Sequence, residues 1–199
     1  MGGSTTADPN MAKRAVSRLI QAKPMKIYLA KTQKLKLITL PYQDFMMDTT
    51  KCGSSFEIPV YSHLETVNSD KSGKSCWFNL RFSDFNARLH CTDVPINNNL
   101  ESLMIDAQEL VFSHDMKASG ISRIRVEGAV KSESHTTGVL YHLEGPVATP
   151  IQFFVTDSTD HFLRGSLYFD NAINSDSTAP VTDRLLRDIE QLMSTISWE

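Results

Sequence analysis

Histidine and cysteine are the side chains of this sequence best suited to catalysis or metal binding. The six histidines are His63, His90, His114, His135, His142 and His161. The sequence has no HExxH motif, and no two histidines share a predicted helix face, so the spacing typical of a helical zinc site is missing. His114 falls near the end of a predicted helix, where the negative end of the dipole favours it. We therefore expect structural histidines and no bound metal.

Asp157, Asp160 and His161 lie close together in a predicted hairpin loop and carry groups that could bind a divalent cation. The competing interpretation is that Asp and Ser/Thr side chains in such a loop bond their own backbone, and it is favoured here. The sequence contains no GxSxG, Walker or GxGxxG motif. We predict a protein without enzymatic activity or cofactor. A hydrolase using His114 or His161 beside a carboxylate is the alternative.

The three cysteines, Cys52, Cys76 and Cys91, do not have the spacing of a metal site. Their odd number leaves two interpretations open. One is a single disulfide with one buried thiol in an oxidising compartment. The other is three thiols in a reducing compartment.

The composition is that of a globular protein, and the charge is unevenly distributed. Of 199 residues, 41% are hydrophobic and 22% are charged, which predicts one domain. Residues 1–36 hold eight basic side chains and a single acid, which leaves 12 basic and 22 acidic residues beyond them. This acidic remainder argues against nucleic-acid binding. We predict a cloning remnant and a flexible basic arm over residues 1–24, followed by a single domain over 25–199.

Hydrophobic periodicity predicts many strands and two long amphipathic helices. The predicted strands are 34–40, 55–61 with a continuation over 63–67, 75–82, 85–92, 121–126, 138–143, 151–156 and 161–169. The predicted helices are a short basic one over 11–23, a central one over 98–117 and a final one over 180–196. Residues 46–55 are predicted to be a loop, and Ser83 and Asp84 a two-residue hairpin. Short connections favour antiparallel pairing, so we predict an α+β fold: a mostly antiparallel sheet with two helices packed on it, similar in architecture to the PsbP-like fold.

The segment 75–82 alternates between two faces. One face carries Cys76, Phe78, Leu80 and Phe82, which is typical of a strand packed on a core. Trp77 and Arg81 lie on the other face. Aromatic and basic residues on strands can bind single-stranded nucleic acid, but the acidic domain disfavours this. Trp77 and Arg81 therefore either contact a covering helix or form a candidate interaction surface.

Several segments together resemble the gliding motility lipoprotein GldD family of the Bacteroidetes, from about residue 40 to 199. They are SFEIP at 55–59, SCWFNL at 75–80, PINNNL at 95–100, DAQ at 106–108, QFFVTDSTDHF at 152–162, RGSLYF at 164–169 and ISWE at 196–199.

This resemblance implies a lipid-anchored, periplasm-facing protein of the cell envelope, associated with the outer membrane. It implies a role in gliding motility and type IX secretion through binding other envelope proteins, with no catalytic residues. The resemblance also implies a Cys52–Cys76 disulfide, whose loop of about 25 residues would stabilise the fold by about 3 kcal/mol. Members of the family carry a lipidated cysteine near the N-terminus, but no cysteine precedes Cys52 here. We expect either that the anchor has been cut away from this sequence or that this member is not lipidated. A small-ligand or lipid carrier is the alternative binding function.

Overall fold

The computed structural model describes residues 25–31 and 34–40 as backbone, and residues 44–67, 75–113, 118–128, 135–170 and 175–198 in the remainder of the chain. The chain divides into two units, residues 1–43 and 44–199. In the first unit, strands β1 (Met25–Lys31) and β2 (Lys34–Leu40) form an antiparallel hairpin. The predicted strand over 34–40 is confirmed. The predicted helix over 11–23 and the arm lie outside the described residues, and the predicted boundary after residue 24 stays a prediction.

Where it is described, the second unit combines two antiparallel sheets with two α-helices, so the predicted α+β class is confirmed. Its elements are β3 (Phe45–Thr49), β4 (Ser54–Pro59), β5 (His63–Thr66), β6 (Cys76–Phe82), β7 (Ala87–Pro95), α1 (Leu100–Phe112), β8 (Gly120–Glu127), β9 (Thr137–Glu144), β10 (Ile151–Thr156), β11 (His161–Phe169), α2 (Ser175–Thr195) and β12 (Ser197–Trp198). The large sheet has the order β5-β6-β7-β11-β10-β9-β8, and the small one β12-β4-β3.

Helix α2 and the small sheet cover one face of the large sheet. Alternation in β6 and β7 supplies that face with buried side chains, because Phe78 lies opposite Cys91 and Leu80 opposite Leu89. The ring of Phe56 on β4 stacks on Phe78 with centroids 5.4 Å apart. The α2 side chains buried in this core follow the helical period: Val181, Leu185, Ile189, Leu192 and Met193.

Helix α1 packs on the opposite face, mainly over β10, β11 and their neighbour β9, and its cluster also contacts Val94 near the end of β7 and Ile121 on β8. Its buried contacts are made by Ala107 and Val111, which meet Tyr141, Phe154 and Phe162. Strand β10 is therefore buried along its whole length, since each of its faces is covered by a helix. Among the described residues, no helix packs extensively on β5, β6 or the rest of β7 on this face.

Two predictions near the start of the second unit are wrong. Residues 45–49 form strand β3, paired with β4, although 46–55 were predicted to be a loop. Met46 and Met47 are both exposed on this edge strand, so it lacks the alternation that marks a half-buried strand. Residues 63–66 do not continue β4, because Tyr61 and Ser62 turn the chain into the large sheet, where β5 pairs with β6.

The connection between β6 and β7 is longer than the predicted two-residue hairpin. A 3-10 turn spans Ser83–Phe85 and is closed by Asn86, whose φ of 49° lies in the left-handed region that asparagine tolerates. Phe85 is buried from within this turn instead of from a strand. The final helix also begins earlier than predicted, at Ser175, so Pro180 lies inside it.

Candidate interaction surface

Strands β6, β7 and β11 present three rows of side chains on the face opposite α2, and we call these nine residues the open sheet face. Register places Trp77, Thr92 and Arg164 in the first row, Asn79, His90 and Ser166 in the second, and Arg81, Arg88 and Tyr168 in the third. The alternation that buries Phe78 and Leu80 thus directs their strand neighbours to this face. The structure therefore places both predicted residues, Trp77 and Arg81, on one surface.

Three aromatic rings run diagonally across the open sheet face. Trp77 on β6 is 41% exposed and Tyr168 on β11 is 40% exposed. His90 lies between them on β7, with its ring 5.3 Å from that of Tyr168 in an edge-on contact. The His90 Nδ1–H donates to Asn79 Oδ1 at 2.8 Å, which fixes the ring. Burial lowers the pKa of His90, and the neighbouring Arg88 lowers it further, so the imidazole is neutral at neutral pH.

Three arginines surround these rings. Arg81 lies 3.5 Å from Asp170, and Arg88 lies 3.3 Å from Glu65. Arg164 has no ion pair among the described residues. The open sheet face therefore carries an excess of positive charge, although the domain as a whole is acidic.

Helix α1 forms the wall at one side of this face. Leu110 fits the apolar period of the helix, but it is 42% exposed. It lines a recess of about 10 Å³ together with Arg164 and Ser166. Leu110 therefore adds an apolar side chain to the border of the open sheet face instead of to the core.

A disulfide fixes the strand that carries Trp77. The sulfurs of Cys52 and Cys76 are 2.05 Å apart, which joins the turn between β3 and β4 to the first residue of β6. The third cysteine, Cys91, is buried as a free thiol. Burial raises its pKa far above the ordinary value, so little reactive thiolate forms.

A buried polar cluster at the C-terminus was missed by sequence reasoning. Asp93 is 5% exposed, and its Oδ2 accepts a hydrogen bond of 2.9 Å from Trp198 Nε1. The ring of His161 stacks on Trp198 at 5.2 Å, nearly parallel. Burial raises the pKa of Asp93. The sequence could have indicated this cluster, because Asp93 lies on the same strand face as the apolar residues Leu89 and Cys91. A carboxylate buried there needs a hydrogen-bond partner.

The loop after β10 uses its aspartate for the backbone. Asp157 Oδ1 accepts bonds from the N–H groups of Thr159, Asp160 and His161 at 2.9 to 3.0 Å. Although burial raises the pKa of Asp157, these donors outweigh it and hold the pKa below the ordinary value. The described residues contain no group of three side chains placed to hold a metal ion. His114 lies outside the described residues.

A second buried network, also missed, joins α2 to the turn after β4. Asp188 Oδ2 accepts bonds from the Tyr61 hydroxyl and from Arg184 Nε, the latter at 3.1 Å. The guanidinium of Arg184 also lies over the Tyr61 ring, 5.6 Å from its centroid. Arg184 and Asp188 are both buried, so this network fixes the helix to the turn from within the core.

These features define the class of protein: a disulfide-bonded α+β domain with one face of its main sheet covered and part of the other open. The chain belongs to the family of the gliding motility lipoprotein GldD, whose family model matches residues 25–198. The resemblance seen in the sequence is thus confirmed, and the match also includes the β1–β2 hairpin. No curated protein matches the chain.

Membership of this family connects the chain with gliding motility and with the lipoproteins of the cell envelope. The family description names no catalytic activity. Among the described helices, none has the length and apolar character needed to cross a membrane.

Proposed function

We propose that this chain is a non-enzymatic accessory lipoprotein of the gliding motility and type IX secretion machinery of Bacteroidetes. In this proposal it faces the periplasm, is held at the outer membrane by a lipid anchor, and binds other envelope proteins through the open sheet face. Neither a cofactor nor nucleic acid takes part.

The observation that carries this proposal is the exposure of Trp77 and Tyr168 on one sheet face beside three arginines. Trp, Tyr and Arg are the residues most enriched among those that dominate binding energy at protein interfaces. Asn79 holds His90, and ion pairs hold Arg81 and Arg88, so little side-chain entropy is lost on binding. The partner that fits presents carboxylates beside an apolar side chain.

The disulfide supports the proposed location. Disulfides persist in oxidising compartments such as the periplasm and are rare in the bacterial cytosol. Cys52 and Cys76 are joined in the structure. This agrees with the interpretation of the three cysteines as one disulfide and one buried thiol.

Site-specific photo-cross-linking in cells tests the proposal. A photoreactive phenylalanine derivative replaces Trp77 in one variant and Tyr168 in another. A third variant carries it at Glu190, an exposed position on α2 on the other side of the sheet. We expect adducts with gliding or secretion proteins from positions 77 and 168, and fewer or different adducts from position 190. Equal adducts at all three positions, or none at 77 and 168, would contradict binding through the open sheet face.

A further inference from the structure

The open sheet face is about as wide as one α-helix. Strands β6, β7 and β11 are neighbours in the large sheet. Adjacent strands lie about 4.8 Å apart, so the face is about 10 Å wide between its outer two strands. An α-helix with its side chains is about 10 to 12 Å across. Helix α1 packs on the same side of the sheet, mainly over β9, β10 and β11. Among the described residues, the strands beside it therefore leave space for one further helix.

Helix α1 adds apolar surface to the border of this space. The exposed Leu110 lines the same recess as Arg164 of the open sheet face. Val94, near the end of β7, packs against the α1 cluster. Trp77 and Tyr168 supply aromatic surface at two opposite corners of the open sheet face. A helix in this space would contact apolar side chains both on the sheet below it and on α1 beside it.

The pairing of the three strands favours a helix over an extended partner segment. Each of β6, β7 and β11 is paired on both sides within the large sheet, so none has a free edge to which a partner strand could be added. An extended segment lying across their side chains would leave its own N–H and C=O groups without backbone partners, which is costly where water is excluded. A helix satisfies these groups internally.

The charges of the open sheet face favour an acidic partner. The face carries Arg81, Arg88 and Arg164 and no acidic residue. Asp170 and Glu65 at its border pair with the first two, whereas Arg164 has no ion pair among the described residues. Complementary charge steers association and fixes the register of the partner. An amphipathic helix with Asp or Glu beside its apolar stripe matches this surface.

The three rows of side chains set the length of the contact. From Trp77 in the first row to Arg81 in the third, β6 advances four residues, which is about 13 Å. A helix covers this distance with about nine residues, or about two and a half turns. We propose that the open sheet face binds an acidic amphipathic helix of a partner protein, lying beside α1 with its apolar residues at i, i+3 or i+4 and i+7 towards the sheet. This inference rests on the proposed function and names the kind of partner segment.

Mapping of cross-links in cells tests the inference. The photoreactive phenylalanine derivative replaces Trp77, Tyr168 or Leu110 in three separate variants, and mass spectrometry locates the captured residue of the partner in each adduct. We expect the captured residues to lie within one partner segment of about twelve residues, spaced three, four or seven apart, with Asp or Glu among their neighbours. The variant at Glu190, on the other side of the sheet, is the control and should not capture this segment.

The position of the adducts distinguishes this inference from the proposed function. Captured residues spaced two apart, or spread over separate segments, would indicate a strand or a loop and overturn the helix, although partner binding would stand. Capture of a second copy of this chain, or of a segment without acidic residues, would overturn the inference as well. If positions 77 and 168 give no adducts, the proposed function fails, and the inference fails with it.

A charge variant tests the acidic character of the partner helix. Arg164→Gln should lower the yield of the adduct from position 168 roughly two- to fivefold. Arg187→Gln removes the same charge from an exposed position of α2, on the other side of the sheet, and should leave the yield unchanged. Thermal unfolding verifies that both variants are folded. An unchanged yield in Arg164→Gln, or equal losses in the two variants, would overturn an acidic partner surface at this face.

Discussion

The two faces of strand β6 differ sharply in the burial of their aromatic residues. Phe78 is 1% exposed and stacks on Phe56, whereas its neighbour Trp77 is 41% exposed. Both are large aromatic residues on the same strand, one residue apart. Burial of Phe78 stabilises the fold, but the exposed surface of Trp77 contributes little to it. The proposed binding of a partner would give this exposed ring a role that the fold does not give it.

The same difference holds across the sheet. On the covered face, β6 and β7 carry only apolar residues and the buried Asp93, which has its own partner in Trp198. On the open sheet face the same strands carry polar and aromatic residues with ion pairs at the border. Successive residues of each strand thus lie on opposite faces. Substitutions on the covered face should change stability, and substitutions on the open sheet face should change partner binding.

The largest expected effect comes from the covered face. Phe78→Ala should lower the free energy of unfolding by about 3 to 5 kcal/mol, because it leaves a cavity beside Phe56. Trp77→Ala, the matched control on the same strand, should cost less than about 1 kcal/mol. Denaturant unfolding of both variants measures the difference. If the two losses were similar, Trp77 would be part of the core and the contrast between the faces would be lost.

The disulfide should be the next largest contribution. Reduction of Cys52–Cys76, or its replacement by serines in a double variant, should lower the free energy of unfolding by about 3 kcal/mol, since the cross-link closes a loop of about 25 residues. Unfolding is followed with and without reductant. The double variant is the control, because it should be insensitive to reductant. A stability that reductant leaves unchanged in the original protein would show that the cross-link contributes little.

The buried Asp93 should give a smaller effect that depends on pH. Its pKa is raised in the folded state by burial, so the folded protein holds this proton at pH values where the unfolded chain has lost it. The contribution of Asp93 to the free energy of unfolding is therefore complete below the ordinary aspartate pKa of about 3.9. It falls as the pH rises through the pKa of Asp93 in the folded protein. Asp93→Asn should remove this fall while keeping an acceptor for Trp198. Unfolding at a series of pH values compares the two proteins.

The contact with Trp198 gives an independent measure of the same cluster. Trp198→Phe keeps an aromatic ring for His161 but removes the donor to Asp93, and should cost about 1 to 3 kcal/mol at neutral pH. The loss should shrink in acid, because a protonated Asp93 no longer buries a charge. A loss that is independent of pH would indicate that the indole contributes by packing alone.

Sequence reasoning reached the elements with strong periodicity and missed those set by distant contacts. The alternation of β6 and the stripe on α2 were sufficient to identify a buried face of each. Strand β3 has no such alternation, and only pairing with β4 defines it. Leu110 fits the helical stripe of α1, but the helix covers too few strands to bury it.

The open sheet face could be predicted only in part from the sequence, because it too depends on contacts between distant segments. Trp77 and Arg81 could be assigned to a face because they share a strand. Tyr168 and Arg164 join them through β11, about 90 residues later in the chain, and a single sequence does not reveal that β11 pairs with β7. The disulfide came from the family resemblance, since the cysteine spacing alone left its pairing open.

Substitution of Arg81 should have the smallest effect on stability, so it is the variant best suited to test binding without disturbing the fold. Arg81→Gln removes a partly exposed ion pair with Asp170 at 3.5 Å and should cost less than about 1 kcal/mol. Arg125→Gln is the control for loss of an arginine ion pair, because Arg125 pairs with Glu127 at 3.3 Å on the distant edge strand β8, where both side chains are more exposed. Both variants should unfold alike, yet only Arg81→Gln should reduce cross-linking from position 168 in cells. If both variants reduced it equally, overall charge and not the open sheet face would determine partner binding.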